Sequence, residues 1–344
     1  MAGRTPLQRA ILVFESRSEW LRRHAASGLH ADYARALPPD DEIIMLRDLL
    51  TGSGLTVESH EISVATRAYL KTFLDDKSRD FIFWNLSDGE QDFLGGLIPA
   101  LCQLFDWPYF GSRAYTQGIC QHKDHWKSIL GAAEIPTPQW RTFTSRNVDL
   151  SVSHVRSKVS EVLLPHFVKA AHLGNSAGFS DIFPLSTSVV ETTEKIERMF
   201  ERGISEVLVE EYIGGREYTV GAAHFDQWEL IAFEQIYDGP FIDQSIKDVF
   251  PGRTLSQEQF YDPQLDADAR QIIGVLGIKD YCRIDFRRDR EGAYKVIDVN
   301  CTPFMTGWTF TSLSQSRGYS RADFFRELLE ESFERQNPLK LAQS

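Results

Sequence analysis

Residues 281–306, YCRIDFRRDREGAYKVIDVNCTPFMT, decide how the rest of the chain is read. Ile284 and Phe286 alternate with Arg283 and Asp285, and Ile297 and Val299 alternate with Asp298 and Asn300. A period of two marks a half-buried strand, and Asp289-Arg290-Glu291-Gly292 supplies turn chemistry between the two runs, so the stretch predicts a hairpin with one apolar face. Pairing Asp285 with Asp298 puts Arg283 opposite Asn300, because side chains on one face repeat every second residue. Like charges facing each other across a strand pair are destabilising, and a cation between them is the simplest account. Two carboxylates and an amide carbonyl form an all-oxygen set that suits Mg2+. The plainer alternative is a solvated face on which Arg283 neutralises one Asp. Against it stands the run Cys301-Thr302-Pro303-Phe304-Met305-Thr306, too apolar for an ordinary exposed loop.

A chain of 344 residues has room for two or three domains, and 42% hydrophobic with 25% charged residues is a soluble globular composition. No apolar run approaches the roughly 20 residues of a membrane span, and residues 1–10 lack the apolar core of a signal peptide, so a cytoplasmic location without a membrane partner is expected. Cys102, Cys120, Cys282 and Cys301 are widely spaced and form no CxxC pair, so neither a disulfide framework nor a zinc site is expected. A net charge of -12 argues against a nucleic-acid partner, since phosphate backbones demand clustered Lys and Arg. Any anionic ligand needs a locally positive pocket.

Ahead of the hairpin, residues 10–112 alternate strand and helix, with strands at 10–14, 56–62 and 80–86 and helices at 40–50, 64–74 and 92–104. Such alternation predicts a parallel sheet flanked by helices. The polar connection 15–39 reads as an ordinary insertion, with a substrate-covering loop as the alternative. Residues 85–91 follow the third strand at its carboxyl end, where an open parallel sheet presents ligand-binding groups; Asp88 and Glu90 there either contact a substrate amine or cap the next helix. Residues 107–112 read as a boundary, and a helical pair and a β-rich segment follow. Lys169 ends an apolar strand, 164–170, that runs into Gly174-Asn175-Ser176-Ala177-Gly178. Glycines and small hydroxyls let backbone amides approach phosphate, although a plain hairpin turn looks the same. After a helix at 190–201, the strand 207–213 ends in a Glu-rich linker, which is either a seat for adenine or a solvent-facing turn. Residues 228–236 read as a strand, 237–263 as irregular, 266–276 as helix. Residues 321–336 form a last helix with Phe324, Phe325, Leu328, Leu329 and Phe333 at core spacing.

Together, Lys123, Lys169, the glycine turn, the segment from Glu210 to Glu217 and the residues Asp285, Asp298 and Asn300 resemble the ATP-grasp ligases, specifically the D-alanine:D-alanine ligase branch, in unbroken order over roughly residues 80–310. The resemblance implies an α/β (α+β) protein with an ATP-grasp fold: an N-terminal parallel-sheet α/β domain at 1–112, a central ATP-grasp subdomain at 113–213 and a C-terminal catalytic domain at 214–344, with ATP between the last two. His122-Lys123 stands where the family has Asp-Lys, so Lys123 would contact ATP phosphate. Lys169, followed by Ala170 where the family has proline, would take the α and β phosphates, and Asn175 and Ser176 would cover them. Glu210 would receive the adenine amine, Tyr212 and Ile213 would line the adenine slot, and Glu217 would bond the ribose hydroxyls. Asp285, Asp298 and Asn300 match the ligands of two Mg2+ ions, with Mn2+ as the alternative. Asp298 replaces the family's Glu and is shorter by one methylene.

The departures fall on the amino-acid side. Glu15-Ser16-Arg17-Ser18-Glu19 stands where the family has Gly-Gly-x-Ser-x-Glu, and Leu86-Ser87-Asp88-Gly89 replaces Leu-His-Gly. Lys247-Asp248 replaces Lys-Tyr, and Thr302-Pro303-Phe304-Met305 replaces Ser-Pro-Gly-Met, so Phe304 puts a ring where bare glycine backbone helps form the oxyanion and carboxylate site. Thr309 keeps a hydroxyl for the second substrate's carboxylate. The implied reaction is ATP-dependent amide formation through an acyl phosphate. Lys123, Lys169 and Lys247 would offset triphosphate charge and Arg283 would stabilise the tetrahedral intermediate, a role whose loss typically costs about 3 to 4 kcal/mol. The changes at Ser87, Asp88, Asp248 and Phe304 favour an amino acid or related carboxylate joined to an amine other than a pair of D-alanines. The cell-wall D-alanine:D-alanine ligase itself is the alternative. A nucleotide-binding protein without ligase activity is a third, which Arg283, Asp285, Asp298 and Asn300 together disfavour. The partners implied are amino-acid-like small molecules and, by resemblance, a second copy in a homodimer.

Overall fold

Two antiparallel sheets follow a parallel one. The computed structural model describes residues 6–25, 34, 37–63, 65–76, 78–87, 94–145, 152–173, 183–242 and 255–336. The first unit comprises β1 Arg9–Phe14, α1 Arg17–His24, α2 Asp40–Gly52, β2 Thr56–Glu61, α3 Thr66–Lys71, β3 Phe81–Asn85, α4 Leu94–Phe105 and β4 Tyr109–Phe110. Its strands pair in parallel in the order β2-β1-β3-β4. Ile11 to Val13 and Phe81 to Trp84 are buried throughout, because helices cover both faces; such strands are continuously apolar instead of alternating. The segment read as a boundary holds β4, and the helix expected at 64–74 is the shorter α3. The connection at 15–39 contains α1, whose first turn is capped by Ser16 Oγ accepting from the Glu19 amide at 3.3 Å.

Next come α5 Ala114–Gln121, α6 Lys123–Ala132, β5 Trp140–Thr144, α7 Val152–Val159, β6 His166–Ala170, β7 Leu185–Ser186, α8 Val189–Glu201 and β8 Glu206–Glu211. The four strands form an antiparallel sheet in the order β5-β8-β6-β7. Val168, Val207 and Val209 of this sheet share a core with Ile196 and Met199 of α8, and Trp20 of α1 belongs to the same cluster.

The third sheet is built from β9 Glu217–His224, β10 Trp228–Tyr237, β11 Leu255–Phe260, β12 Tyr281–Arg288 and β13 Tyr294–Asn300, in the order β11-β10-β9-β12-β13. β11 lies in the stretch read as irregular; among the described residues it pairs only with β10 and is an edge strand, where a polar LSQEQF run is tolerated. Helix α9 Pro263–Leu276 and the pair α5 and α6 cover one face, with Trp126 and Leu130 packed among Ile272, Leu276 and Phe286. Helices α10 Trp308–Ser316 and α11 Arg321–Gln336 close the chain, and Phe324 and Leu328 share a core with Leu12 and Trp84 of the parallel sheet. Asp280 secures this joint. It accepts from the Gly111 amide at 2.8 Å, Ser332 Oγ at 2.9 Å and Arg335 Nη2 at 2.8 Å.

The hairpin pairs as its alternation requires, with Asp285 opposite Asp298 and Arg283 opposite Asn300. Beyond that pair the register shifts: Phe286 faces Val296, and Ile297 becomes the extra residue of a bulge. Val296 and Val299 are therefore buried in β13 together with Tyr294, while Ile297, expected on the apolar face with Val299, is only half-buried.

Candidate active site

Alternation puts Arg283, Asp285 and Arg287 on one face of β12. Asp285 Oδ1 accepts from Thr219 Oγ1 of neighbouring β9 at 2.8 Å, and its Oδ2 accepts from Arg283 Nη2 at 3.2 Å. Asp285 raises the pKa of Arg283 further and keeps its guanidinium charged. Across the pair, Asp298 Oδ1 lies 3.9 Å from Lys123 Nζ, which donates to the Leu173 carbonyl at 2.9 Å. The first residue of α6 is thus brought to the hairpin's carboxylates. Asn300 Oδ1 accepts from the Thr302 amide at 2.8 Å and fixes the turn out of β13. Facing carboxylates with an amide oxygen beside them fit a hard, oxygen-preferring ion such as Mg2+.

Lys169 enters from β6. Its Nζ donates to the carbonyl of the bulge residue Ile297 at 3.1 Å, and it also pairs with Glu210 Oε1. Glu210 Oε2 stands 2.8 Å from Lys127 Nζ, an ion pair set off the line of a hydrogen bond. Burial pushes Lys127 down to about 8 despite Glu210. The same burial works to raise Glu210, yet the two lysines hold it below the usual carboxylate range. Expected as an acceptor for adenine, Glu210 here has both oxygens engaged by lysines. Lys127 was missed by the sequence reading; the signal was its spacing of four from Lys123 on one helix face.

A third group surrounds Glu217. Its Oε2 accepts from Arg287 Nε at 3.1 Å and from Tyr237 Oη at 2.9 Å. Burial raises the Glu217 pKa, with Arg287 opposing. Arg287 also donates to the Ile213 carbonyl at 2.7 Å and lies over the Tyr212 ring at 5.1 Å. Tyr212 stacks on Phe167, 6.4 Å between centroids. Arg287 therefore gathers Tyr212, Ile213 and Glu217; the sequence reading did not single it out, and the one signal was its spacing of two from Asp285 on β12. The linker is kept close by glycine: a Cβ on Gly215 would sit 1.7 Å from the Arg288 carbonyl oxygen.

At the amino-acid end, Glu42 of α2 reaches the loop after β13. Its Oε1 accepts from the Met305 amide at 2.8 Å and the Thr306 amide at 3.1 Å, and its Oε2 from Thr306 Oγ1. Phe304 in that loop is half-buried, and Thr309 is buried with its methyl where a Cβ on Gly221 would be, 2.1 Å away. Ser87 Oγ accepts from the Glu15 amide at 2.6 Å, and Arg23 pairs with Glu15. Asp88, Asn175, Ser176 and Lys247 lie outside the described residues.

Lysines from the helix–sheet unit meeting carboxylates from an antiparallel sheet, behind an N-terminal parallel sheet, define the ATP-grasp class of ligase. The family model for the D-ala D-ala ligase C-terminus matches residues 129–330, more than half of the chain, and the chain belongs to that family. A D-alanine–D-alanine ligase of Aquifex aeolicus is 29% identical over 217 residues, 61% of this chain and 68% of the relative. One from Acinetobacter baumannii is 25% identical over 295 residues, 83% of this chain and 89% of the relative. The crystal structure of the Bacillus anthracis D-alanine–D-alanine ligase matches the fold with a TM-score of 0.71 at 18% identity, covering 96% of this chain and 99% of the other. The same ligase complexed with ATP matches with a TM-score of 0.69. Among the described residues no helix is long and apolar enough to cross a membrane, and the four cysteines are buried and form no disulfide.

Proposed function

We propose that this protein is an ATP-dependent carboxylate–amine ligase that joins an amino acid, or a related carboxylate, to an amine other than a second D-alanine. The observation that carries the reading is Asp285 facing Asp298 with Arg283 and Lys123 beside them. Adenine binding alone needs none of these. Mg2+ held by Asp285, Asp298 and Asn300 would neutralise triphosphate charge.

Lys123 and Lys169 bind phosphate oxygens. When ATP enters, Lys169 exchanges Glu210 for phosphate, and the Glu210 oxygen it releases accepts from the adenine amine while Lys127 keeps the other. Tyr212 and Ile213 line the adenine slot, and Glu217 offers Oε1 to the ribose because Oε2 is held by Arg287 and Tyr237. Asn175 and Ser176 are assigned to covering the phosphates and Lys247 to offsetting their charge, as the family resemblance implies. The first substrate's carboxylate oxygen attacks the γ-phosphorus, giving an acyl phosphate and ADP. The second substrate's amine then attacks the acyl carbon, Arg283 donates to the oxyanion that forms, and phosphate leaves. Asp88 holds the first substrate's amine, Thr309 the acceptor's carboxylate, and Phe304 shapes the acceptor site. A division at residues 112 and 213, a cytoplasmic location and a homodimer complete the proposal.

The test is phosphate release from ATP and Mg2+ with D- and L-amino acids, singly and in pairs, and mass identification of the product. Release with a pair other than two D-alanines supports the reading. Release that requires D-alanine and yields its dipeptide would establish the second reading, which the named relatives favour: the cell-wall enzyme itself. ATP binding without turnover across the panel would overturn both.

A further inference from the structure

The junction of α5 and α6 carries a cluster of ligand side chains that the ligase chemistry does not use. His122, Asp124 and His125 each present one ligand atom, all within 4.8 Å of one another. The local sequence explains the meeting. His122 is the N-cap of α6 and His125 lies three residues on, so both rings stand on one edge of the first turn, stacked with centroids 4.7 Å apart. Asp124 Oδ1 is buried with no hydrogen-bond partner among the described residues, a costly condition for a carboxylate oxygen that a cation would relieve. A third imidazole, His172, stacks on His122 at 6.0 Å, and Glu206 Oε2 lies 3.6 Å from His122 Nδ1.

We propose that His122, Asp124 and His125 bind a divalent transition-metal ion of the zinc type, separate from the Mg2+ expected at the hairpin. Two imidazoles and a carboxylate are borderline donors that suit zinc, cobalt or nickel, whereas Mg2+ favours the all-oxygen set of Asp285, Asp298 and Asn300. Ligand atoms about 2.1 Å from one tetrahedral ion lie roughly 3.4 Å apart, and rotation of the exposed His125 ring closes the remaining gap. His172 or water takes a fourth position. The ion fixes the first turn of α6, from which Lys123 reaches Leu173 and Asp298. The family's Asp-Lys becomes His-Lys at this point, so the cluster is a property of this chain.

The test uses the full-length protein, stripped with a chelator and titrated with Co2+ in excess Mg2+. The readouts are visible d–d absorption and melting temperature, neither of which depends on activity. One Co2+ per chain is expected, displaced by Zn2+, with Zn2+ raising the melting temperature. His125→Ala, an exposed position that leaves the metal-free melting temperature unchanged, should weaken Co2+ binding at least about 100-fold, and Asp124→Asn should follow it. Absent d–d bands would overturn the site. So would bands that survive His125→Ala, or bands that are lost in Asp285→Asn while His125→Ala keeps them.

Discussion

The charged face of the five-stranded sheet and the carboxyl edge of the parallel sheet differ in where their polar groups are directed. On the first, Asp285, Asp298, Arg283 and Lys123 converge from two strands and a helix onto one spot, and Lys169 approaches through the bulge at Ile297. On the second, the polar groups satisfy one another. Glu15 is taken by Arg23, Ser87 by the Glu15 amide, Glu61 by the Ser16 amide and Glu42 by the loop at 305–306. The nucleotide side brings facing carboxylates and lysines to one spot, an arrangement of charge that suits a cation and phosphate. On the amino-acid side the polar groups are held by internal hydrogen bonds, and it is there that the sequence departs from the family pattern, at Ser87 and Phe304.

The largest expected effect is on the first region. Asp285→Ala removes one of the facing carboxylates, and turnover should fall by about 10³-fold; the relief of repulsion across the strand pair is offset by the lost hydrogen bonds from Thr219 and Arg283. Unchanged turnover in a steady-state assay would refute the assigned role. Next comes the buried triad behind it. Glu210→Gln leaves Lys127 and Lys169 without their shared counter-ion, and the protein should lose about 3 kcal/mol in denaturant unfolding. Adding Lys127→Met should recover much of that loss; a double variant no more stable than the single one means the triad does not act as a unit.

Both regions were unevenly legible in the sequence, for physical reasons. A period of two fixed which residues of β12 share a face, and two Asp residues at facing positions sufficed to suggest a cation. No residue in IDVN marks the bulge, since a bulge is set by pairing, so Ile297 was assigned to the wrong face. Lys127 and Arg287 escaped because their partners, Glu210 and Tyr237, are distant in sequence and become neighbours only when β8 and β10 are in place. The polar edge strand β11 has no apolar alternation to announce it. Glu42 looked like one of three acids in the first turn of α2, where carboxylates suit the helix dipole, and nothing local distinguished the one that is buried.

A smaller effect belongs to the second region. Phe304→Gly restores the family's bare backbone in a half-buried loop position. The ratio of kcat/KM for a bulky over a small acceptor should change by about tenfold, the scale at which hydrophobic contacts discriminate. Competition between two acceptors in one reaction, read by product mass, measures the ratio directly. An unchanged ratio would remove Phe304 from the acceptor site and leave the specificity to the other departures.

The smallest effect carries a sign that separates the two regions. Burial raises the Glu42 pKa above the ordinary 4.5, and its hydrogen bonds from Thr306 and Met305 recover only part of the cost, with Arg321 also opposing. A carboxyl whose folded-state pKa lies above the unfolded value binds its proton more tightly in the native state. Its contribution to stability is complete below about pH 4.5 and is lost as pH rises through the higher folded value. Glu42 thus favours folding less at neutral pH than in mild acid, the reverse of Glu210, whose depressed pKa adds stability that disappears on acidification. Glu42→Gln keeps an acceptor for the two amides without the charge, so at pH 7 it should alter stability by no more than about 1 kcal/mol. Thermal melts of the variant and the parent between pH 4.5 and 7 should differ in slope, the parent losing relative stability as pH rises. A parent that instead gains on the variant over that range would mean that the loop stabilises the charged carboxylate, and that this edge of the parallel sheet is built around an anion as firmly as the hairpin is.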